Sequence, residues 1–208
     1  MKRIDFWFDP ISPFAYLAFE RLPEVLEGCH YAVEYRPLLF AGLLKHWGQK
    51  GPAAIEPKRA WTFAHVAWLA HSHDIALQMP AQHPFNPLPL LRLAIAAGPN
   101  RRVVEAVLRH VWRGGADPTD AARLQALANE LAPARAPAGE DVKAELRANT
   151  DAAIARGLFG VPSFELEGRV FWGVDALPML RAALQGDDWF DGPAWGEAAR
   201  VRPGLSRI

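Results

Sequence analysis

Cysteine is almost absent from this sequence. Its 208 residues include one cysteine, Cys29, so no disulfide can form within the chain. The chain also has no net charge, because 23 basic residues balance 23 acidic residues. The basic surplus usual in nucleic-acid-binding proteins is therefore missing. No apolar run reaches the ~18 residues of a membrane-spanning helix, and the first residues lack the apolar core of a signal peptide. We therefore expect a cytoplasmic protein that binds neither nucleic acid nor membranes.

An alternating segment begins the chain. Residues 4–9 have a period of two, which predicts a short strand. One side would carry Ile4, Phe6 and Phe8, and the other Asp5, Trp7 and Asp9. Ser12 followed by Pro13 predicts a helix start, because a hydroxyl can cap a helix and proline suits its first position. A helix from residue 13 to about 26 and a second alternating segment, 31–36, come next. This spacing predicts a βαβ unit with parallel strands.

The middle of the chain predicts helices. Residues 38–56 contain several glycines and predict a loop with one short helical piece. Longer apolar periodicities follow, each bounded by glycine or proline. The helices predicted from them cover residues 58–73, 87–97, 101–112, 117–131 and 140–157.

The last part of the chain predicts a hairpin and a helix. Residues 161–166 and 169–172 alternate on either side of the tight turn Glu167-Gly168, which predicts two antiparallel strands. A helix over 176–185 and an irregular tail follow. We expect an α/β fold with βαβ and ββα halves around a mixed sheet. The expected division is a discontinuous domain in 1–56 and 158–208, with an all-helical insertion over 57–157.

Two motifs lie where an α/β fold could bind a ligand. Ser12 stands where the first strand passes into a helix, and a helix N-terminus there can stabilise an anion; the alternative is a plain N-cap. Val161-Pro162 could present its main-chain N–H and C=O to a peptide-like ligand. Its alternative is an ordinary proline at a sheet edge.

Two charged residues complete the candidates. Asp175, in the segment Trp172-Gly173-Val174-Asp175, could cap the last helix or bind the ammonium group of a ligand. Lys58 lies at the start of a predicted helix, where a cation is unfavourable. That position suggests carboxylate binding, and a solvated lysine is the alternative.

The order of these motifs resembles the kappa-class glutathione transferases and, more closely, the bacterial 2-hydroxychromene-2-carboxylate isomerases. Both belong to the group that includes the disulfide oxidoreductase DsbA. The likeness covers almost the whole chain. The segments that carry it are Phe6-Trp7-Phe8-Asp9, Ser12-Pro13-Phe14-Ala15-Tyr16-Leu17, Pro37-Leu38-Leu39, Pro57-Lys58-Arg59-Ala60, His83-Pro84-Phe85-Asn86, Gly157-Leu158-Phe159-Gly160-Val161-Pro162-Ser163-Phe164 and Phe171-Trp172-Gly173-Val174-Asp175.

The resemblance implies a thioredoxin-like fold with a helical insertion, a homodimer, and glutathione as the cofactor. Ser12 would hydrogen-bond the glutathione sulfur and favour its thiolate, and Val161 would pair through its backbone with the cysteinyl part. Asp175 would hold the γ-glutamyl ammonium group, with the N–H of Val174 on its carboxylate. Lys58 would reach the glycyl end or the substrate carboxylate. The implied glutathione-binding residues are Ser12, Lys58, Val161, Pro162, Val174 and Asp175.

The implied reaction is the isomerisation of an aromatic or unsaturated acid like 2-hydroxychromene-2-carboxylate. The glutathione thiolate would add to an unsaturated carbon, the ring would open, a bond would rotate, and the thiolate would leave. Gln49 and Asn86 would lie on the substrate side, and aromatic residues such as Phe63 would line the pocket or else pack in the core. Two positions depart from the family pattern: Ala176 replaces an arginine, and Gln49 replaces an asparagine.

Other functions remain possible with the same residues. Glutathione transfer or peroxide reduction would use the same site, and a non-catalytic thioredoxin-fold binding protein would keep the fold without turnover. A dithiol oxidoreductase is excluded, because Ser12-Pro13-Phe14-Ala15 stands where Cys-x-x-Cys is needed. No metal site is predicted, because His65, His71 and His73 lack an acid or cysteine to complete a zinc set.

Overall fold

Two strands near the N-terminus, connected along the chain by a helix, pair with each other in parallel. The computed structural model describes residues 1–198, 200, 201 and 204. In it, β1 (Lys2–Phe8) and β2 (Tyr31–Pro37) are joined through α1 (Pro13–Val25). The register runs from Lys2 opposite Tyr31 to Phe8 opposite Pro37. The predicted βαβ unit is confirmed.

A hairpin completes the sheet. β3 (Ser163–Leu166) and β4 (Arg169–Trp172) pair antiparallel, β3 also pairs antiparallel with β1, and the strand order is β2-β1-β3-β4. A 3-10 turn (Val174–Ala176) then leads directly into α8 (Leu177–Gln185). The predicted ββα half is confirmed. Its first strand begins after Pro162 and not at residue 161, because a proline has no N–H for the ladder.

Helices fill the chain between the two halves, as predicted, with their ends shifted by a few residues. The segment predicted as a loop with one helical piece contains two, because a 3-10 turn (Pro52–Ala54) follows its short α-helix. Among the described residues, no helix is both long and apolar enough to cross a bilayer. The helices of this segment are α2 (Phe40–His46), α3 (Glu56–Ser72), α4 (Leu88–Ala96), α5 (Arg101–Trp112), α6 (Ala121–Leu131) and α7 (Glu140–Ala155).

The sheet is covered on both faces. Phe6 of β1 packs in the larger apolar cluster together with α1, and Trp7 packs in a second cluster on the other face, against Ala153 of α7. Successive side chains of β1 therefore point to opposite faces of the sheet, as the pattern of 4–9 predicts, and both faces are buried. The larger cluster also contains Trp112 of α5, so the helical segment and the sheet share one core. The division into 1–56, 158–208 and 57–157 stays a prediction, and its last residues lie outside the described part of the chain.

The tail after Gly186 is more regular than predicted. It forms a 3-10 turn (Asp188–Phe190) and α9 (Pro193–Ala198). Phe190 is buried, and its ring centroid lies 5.8 Å from that of Phe171 in β4. The prediction of an irregular tail is wrong there, because aromatic side chains of the tail pack against the sheet.

Candidate functional site

Ser12 caps the helix that follows the first strand. Its Oγ accepts a hydrogen bond from Ala15 N at 3.3 Å, and Pro13 occupies the first helical position. The residue is only 7% exposed. Ser12 is therefore the N-cap of α1, since its hydroxyl satisfies an N–H group at the helix start. Its role in binding a ligand stays a prediction. The same hydroxyl has a second partner.

The Ser12 hydroxyl contacts the residue that precedes β3. Ser12 Oγ donates to Val161 O at 3.3 Å, and the peptide bond between Val161 and Pro162 is cis. Within the described residues, no hydrogen bond engages Val161 N–H. The alternative of an edge-strand proline is wrong, because β3 lies between β1 and β4 and begins after the proline. The first two motifs are thus in direct contact.

The third motif is the segment Trp172-Gly173-Val174-Asp175, which lies against the same proline. Gly173 N donates to Pro162 O at 3.0 Å. Gly173 has a φ of +98°, and a Cβ at this position would collide with the Asp175 carboxylate. Only glycine suits this close approach of a side chain to the backbone. The three motifs therefore form one continuous chain of contacts.

Asp175 is exposed in the 3-10 turn that leads into α8. Its side chain makes no capping hydrogen bond, so the capping interpretation of Asp175 is wrong. Within the described residues, the N–H groups of Val174 and Asp175 also have no partner. Free N–H groups at a helix start attract a carboxylate, and the exposed aspartate attracts a cation. Together they fit a group that carries both charges, such as the end of an amino acid.

An apolar surface lies beside these contacts. The indole of Trp172 packs directly on Gly160, where a Cβ would collide with it. The ring centroids of Trp172 and Phe159 are 4.9 Å apart, and the two residues are 52% and 39% exposed. This surface adjoins Val161 and gives the site an apolar rim.

Asp9 is a buried acid in the turn before Ser12. It is fully buried, and its carboxylate accepts hydrogen bonds from Ile11 N and Phe40 N, each at 2.9 Å. Burial raises the pKa of Asp9 from 3.8 to about 7, although both hydrogen bonds act in the opposite direction. The sequence points to Asp9 only as part of a family-like segment, and the local signal is an acid between an apolar strand and a proline. Its bonds join the Ser12 turn to the start of α2.

The helical segment holds the carbonyl groups of the same turn. Trp112 Nε1 donates to Pro10 O at 2.9 Å, and His83 Nε2 lies 2.9 Å from Ile11 O. Burial lowers the pKa of His83, opposed by its bond to Ile11 O. The sequence points to His83 only as part of a family-like segment and does not point to Trp112. Both contacts join residues far apart in the chain, which periodicity cannot detect.

Three predicted residues are not brought to Ser12 by hydrogen bonds. Lys58 and Gln49 are exposed, on the first turn of α3 and after α2. Asn86 is also exposed, and its Oδ1 accepts from Leu88 N at 3.1 Å, at the start of α4. Within the described chain, none of the three side chains hydrogen-bonds to Ser12, Val161 or Asp175. Their predicted roles in binding stay predictions.

A cavity lies on the helical side of the Ser12 turn. Its volume is about 320 Å³. Phe63 and Met79 contribute apolar walls, Arg59 contributes a cation, and His83 joins the cavity to the turn that carries Ser12. A pocket that combines apolar walls, one cation and the polar side chains of Gln82 and His83 is compatible with an aromatic acid.

The cysteine and the histidines lie outside this arrangement. Cys29 is half-buried and follows α1, whereas Ser12 precedes that helix. The 13 residues of α1 separate the two by roughly 20 Å along the helix axis. Among the described residues, no group of three or more histidine, cysteine, aspartate or glutamate side chains converges on one point.

Known proteins resemble this chain in sequence and in fold. Residues 3–185 match the family model of the DSBA-like thioredoxin domain. The chain is 31% identical over 195 residues to the 2-hydroxychromene-2-carboxylate isomerase of Sphingobium xenophagum, with 88% of this chain and 98% of that protein covered. It is 25% identical over 208 residues to glutathione S-transferase kappa 1 of Rattus norvegicus, with coverages of 89% and 92%. A solved 2-hydroxychromene-2-carboxylate isomerase structure has a TM-score of 0.79 at 24% identity, covering 96% of this chain and all of that one.

The fold and the three joined motifs define a thioredoxin-type enzyme with serine at the start of its first helix. The chain belongs to the DsbA-like thioredoxin family and, within it, to the group of the 2-hydroxychromene-2-carboxylate isomerases and kappa-class glutathione transferases. The resemblance and the fold class predicted from the sequence are confirmed.

Proposed function

We propose that this protein is a glutathione-dependent isomerase of aromatic acids similar to 2-hydroxychromene-2-carboxylate. The observation that carries the proposal is the position of Ser12 Oγ, at a helix start and 3.3 Å from Val161 O. Relatives named as isomerases, about 30% identical over most of the chain, support it. So does the serine in place of a redox cysteine, since a hydroxyl can donate a hydrogen bond but cannot form a disulfide.

The free polar groups of the site fit glutathione. Val161 offers an N–H and a C=O to a cysteinyl backbone in the manner of a short added strand. At the other end, Asp175 would hold the ammonium group of the γ-glutamyl part, and Val174 N–H would hold its carboxylate. Lys58, at the start of α3, would bind the glycyl carboxylate or the substrate carboxylate. Because Ala176 replaces the arginine of relatives, this end of the site has one cation fewer.

The Ser12 hydroxyl would change its partner when a ligand binds. It has one hydrogen, which it donates to Val161 O in the structure. To donate to a sulfur instead, the hydroxyl must turn away, and Val161 O is then free to accept an N–H from the ligand. The Ala15 N–H keeps its acceptor on Ser12 throughout. One internal hydrogen bond is thus exchanged for two to the ligand.

This exchange gives Ser12 its role in reactivity. Glutathione, when bound, supplies the thiolate nucleophile that makes rotation about the double bond of the substrate possible. A hydrogen bond to a charged group contributes about 1.5–3 kcal/mol, and about 1.4 kcal/mol corresponds to one pKa unit. The Ser12 hydroxyl and the N-terminus of α1 would therefore keep the sulfur ionised near neutral pH. The substrate would lie in the cavity beside Phe63, with its carboxylate on Arg59 or Lys58.

Two measurements test the proposal. Calorimetry measures the binding of reduced glutathione, and absorbance follows the cis-to-trans conversion of the acid with glutathione far below the substrate concentration. We expect binding and many turnovers for each glutathione molecule. S-methylglutathione is the control, because it keeps the backbone and charges but has no thiol; it should bind and support no turnover. Failure to bind at millimolar glutathione would contradict the proposal.

Two alternative functions give different results in the same assay. A kappa-class transferase, which the 25% identity to the rat enzyme favours, would consume glutathione in proportion to product. A non-catalytic thioredoxin-fold binding protein would bind glutathione and turn over no substrate. The homodimer implied by the resemblance and the expected cytoplasmic location stay predictions.

A further inference from the structure

His83 has one hydrogen-bonded nitrogen and one free nitrogen. Its Nε2 lies 2.9 Å from Ile11 O, and a carbonyl oxygen only accepts, so Nε2 carries the hydrogen. Nδ1 of the neutral imidazole is then an acceptor. Within the described residues, this buried atom has no hydrogen-bond partner. A leucine would fill similar space without burying an unpaired acceptor, so packing alone does not explain a histidine here.

Aromatic rings fix the direction in which His83 donates. Phe63 and Phe85 meet the imidazole edge to face, with ring centroids 5.1 and 6.0 Å away. The ring of Trp112 lies 5.9 Å away. A ring confined on several sides loses little further freedom when its N–H binds Ile11 O.

The bond to Ile11 O fixes the peptide unit that enters Ser12. The C=O of Ile11 and the N–H of Ser12 belong to the same planar group. His83 holds the oxygen at 2.9 Å, and Asp9 O accepts from Ser12 N at 3.0 Å. A plane held at both ends cannot rotate without breaking one of these bonds. The direction of the Ser12 side chain depends on this plane.

The rest of the turn has the same kind of support. Trp112 Nε1 donates to Pro10 O, and the Asp9 carboxylate accepts from Ile11 N, both at 2.9 Å. The turn that carries Ser12 is therefore held from inside by Asp9 and from the helical segment by His83 and Trp112.

We propose that His83 is a positioning residue for the reaction: its Nε2–H holds the Ile11–Ser12 peptide plane and thereby aims the Ser12 hydroxyl into the site. The inference rests on the proposed function, because it concerns the same hydroxyl. The role proposed for His83 is exerted through the turn, because its Nε2–H is engaged by Ile11 O and is not free to bind a ligand.

Two substitutions separate positioning from packing. His83→Gln keeps an N–H at about the reach of Nε2, and His83→Leu keeps the volume and removes the donor. The readouts are the pKa of the bound glutathione thiol, from the ultraviolet absorbance of the thiolate, and the separate values of kcat and KM. We expect His83→Leu to raise the thiol pKa by about one unit and to lower kcat about tenfold, with KM nearly unchanged. His83→Gln should restore both values.

The outcomes distinguish failure of the inference from failure of the proposed function. If His83→Leu leaves the thiol pKa and kcat unchanged, or if His83→Gln is as impaired as His83→Leu, His83 only packs and the inference is overturned. If the wild type binds no glutathione, the proposed function fails and the inference fails with it. Should His83→Leu not fold, His83→Asn replaces it, because its shorter amide does not reach Ile11 O.

A measurement on the free protein tests the starting point. Nitrogen NMR of the imidazole at mildly alkaline pH shows which ring nitrogen is protonated. We expect the hydrogen on Nε2 and a bare Nδ1. A hydrogen on Nδ1 would remove the bond to Ile11 O and overturn the inference without reference to glutathione.

Discussion

Two helix starts meet at the Val161-Pro162 segment, and they differ in burial, in capping and in the partners of their polar groups. The start of α1 is buried, Ser12 caps it, and the polar main-chain groups of Ile11 and Ser12 have partners. The start of the helical stretch at Val174 has no side-chain cap, and Asp175 is exposed there. At the start of α1, the main-chain groups of Ile11 and Ser12 have their partners before any ligand arrives. The other helix start presents an exposed carboxylate and N–H groups without partners among the described residues.

This difference suggests that the start of α1 controls reactivity and that the start at Val174 controls affinity for the ligand. Tuning one sulfur requires a donor of fixed direction in a poorly solvated place, where a hydrogen bond to charge is strong. Holding a charged amino-acid end requires only complementary groups, and water weakens each such contact. We therefore expect changes at Ser12 to alter kcat and the thiol pKa, and changes at Asp175 to alter KM. The predictions below test that contrast, beginning with the largest expected effect.

Ser12→Ala should have the largest effect. It removes the donor to the sulfur, and we expect kcat to fall about 100-fold, in the range seen when one donor to a developing anion is removed. The affinity for glutathione, measured by calorimetry, should change much less. Asp120→Ala is the matched control, because Asp120 caps α6 through Arg123 N and lies outside the proposed site. Equal losses of kcat in the two variants would contradict the contrast.

Asp175→Asn should have a smaller effect of another kind. The substitution removes the charge that would hold the ammonium group, and we expect KM for glutathione to rise about tenfold, the equivalent of ~1.4 kcal/mol, with kcat almost unchanged. Steady-state kinetics at varied glutathione measures both. Asp151→Asn, an exposed aspartate of α7, should change neither. A large fall in kcat in Asp175→Asn would show that the two helix starts do not divide the work as proposed.

Asp9→Asn should change how stability depends on pH. Burial raises the pKa of Asp9 from 3.8 to about 7. Between these values the folded protein keeps a proton that the unfolded chain has released. The Asp9 contribution to the free energy of unfolding is therefore full below pH 3.8 and declines toward pH 7. Its slope is up to about 1.4 kcal/mol per pH unit.

Urea unfolding at several pH values measures that slope. Asp9→Asn cannot titrate, so this variant should lose the Asp9 contribution to it. If the wild type and Asp9→Asn show the same slope from pH 4 to 7, Asp9 is ionised throughout this range in the folded protein.

Cys29→Ser should have the smallest effect. Cys29 lies beyond the far end of α1, and we expect activity within about twofold of the wild type and stability within about 0.5 kcal/mol. Assays of turnover and thermal unfolding test both. A tenfold loss of activity would bring the protein's own thiol into the chemistry and would remove the role proposed for Ser12.

Much of this architecture follows from local patterns. The alternation of 4–9, the Ser12-Pro13 helix start and the Glu167-Gly168 turn predict β1, α1 and the hairpin, because each depends on neighbours within a few residues. The structure of the tail cannot be predicted from such local patterns, because Phe190 is buried against Phe171, which lies in β4. The start of α6 is a local error of another kind: the helix begins at Ala121, four residues later than predicted, with Asp120 as its N-cap.

The candidate site also has features that the sequence shows and features that only the folded structure shows. The motifs at Ser12, Val161-Pro162 and Asp175 are visible in the sequence because each contains an unusual residue at a punctuated position. Their contact through Val161 O and Pro162 O is visible only after folding.

The sequence by itself determined the order of strands and helices, the absence of a dithiol, and the identity of the serine at the first helix start. The tertiary structure alone decided that Asp9 is buried with a raised pKa and that His83 and Trp112 hold the Ser12 turn. The physical reason is the distance along the chain over which each effect acts. Propensity, capping and periodicity act over a few residues, whereas desolvation and the direction of a hydrogen bond depend on side chains that only folding brings together.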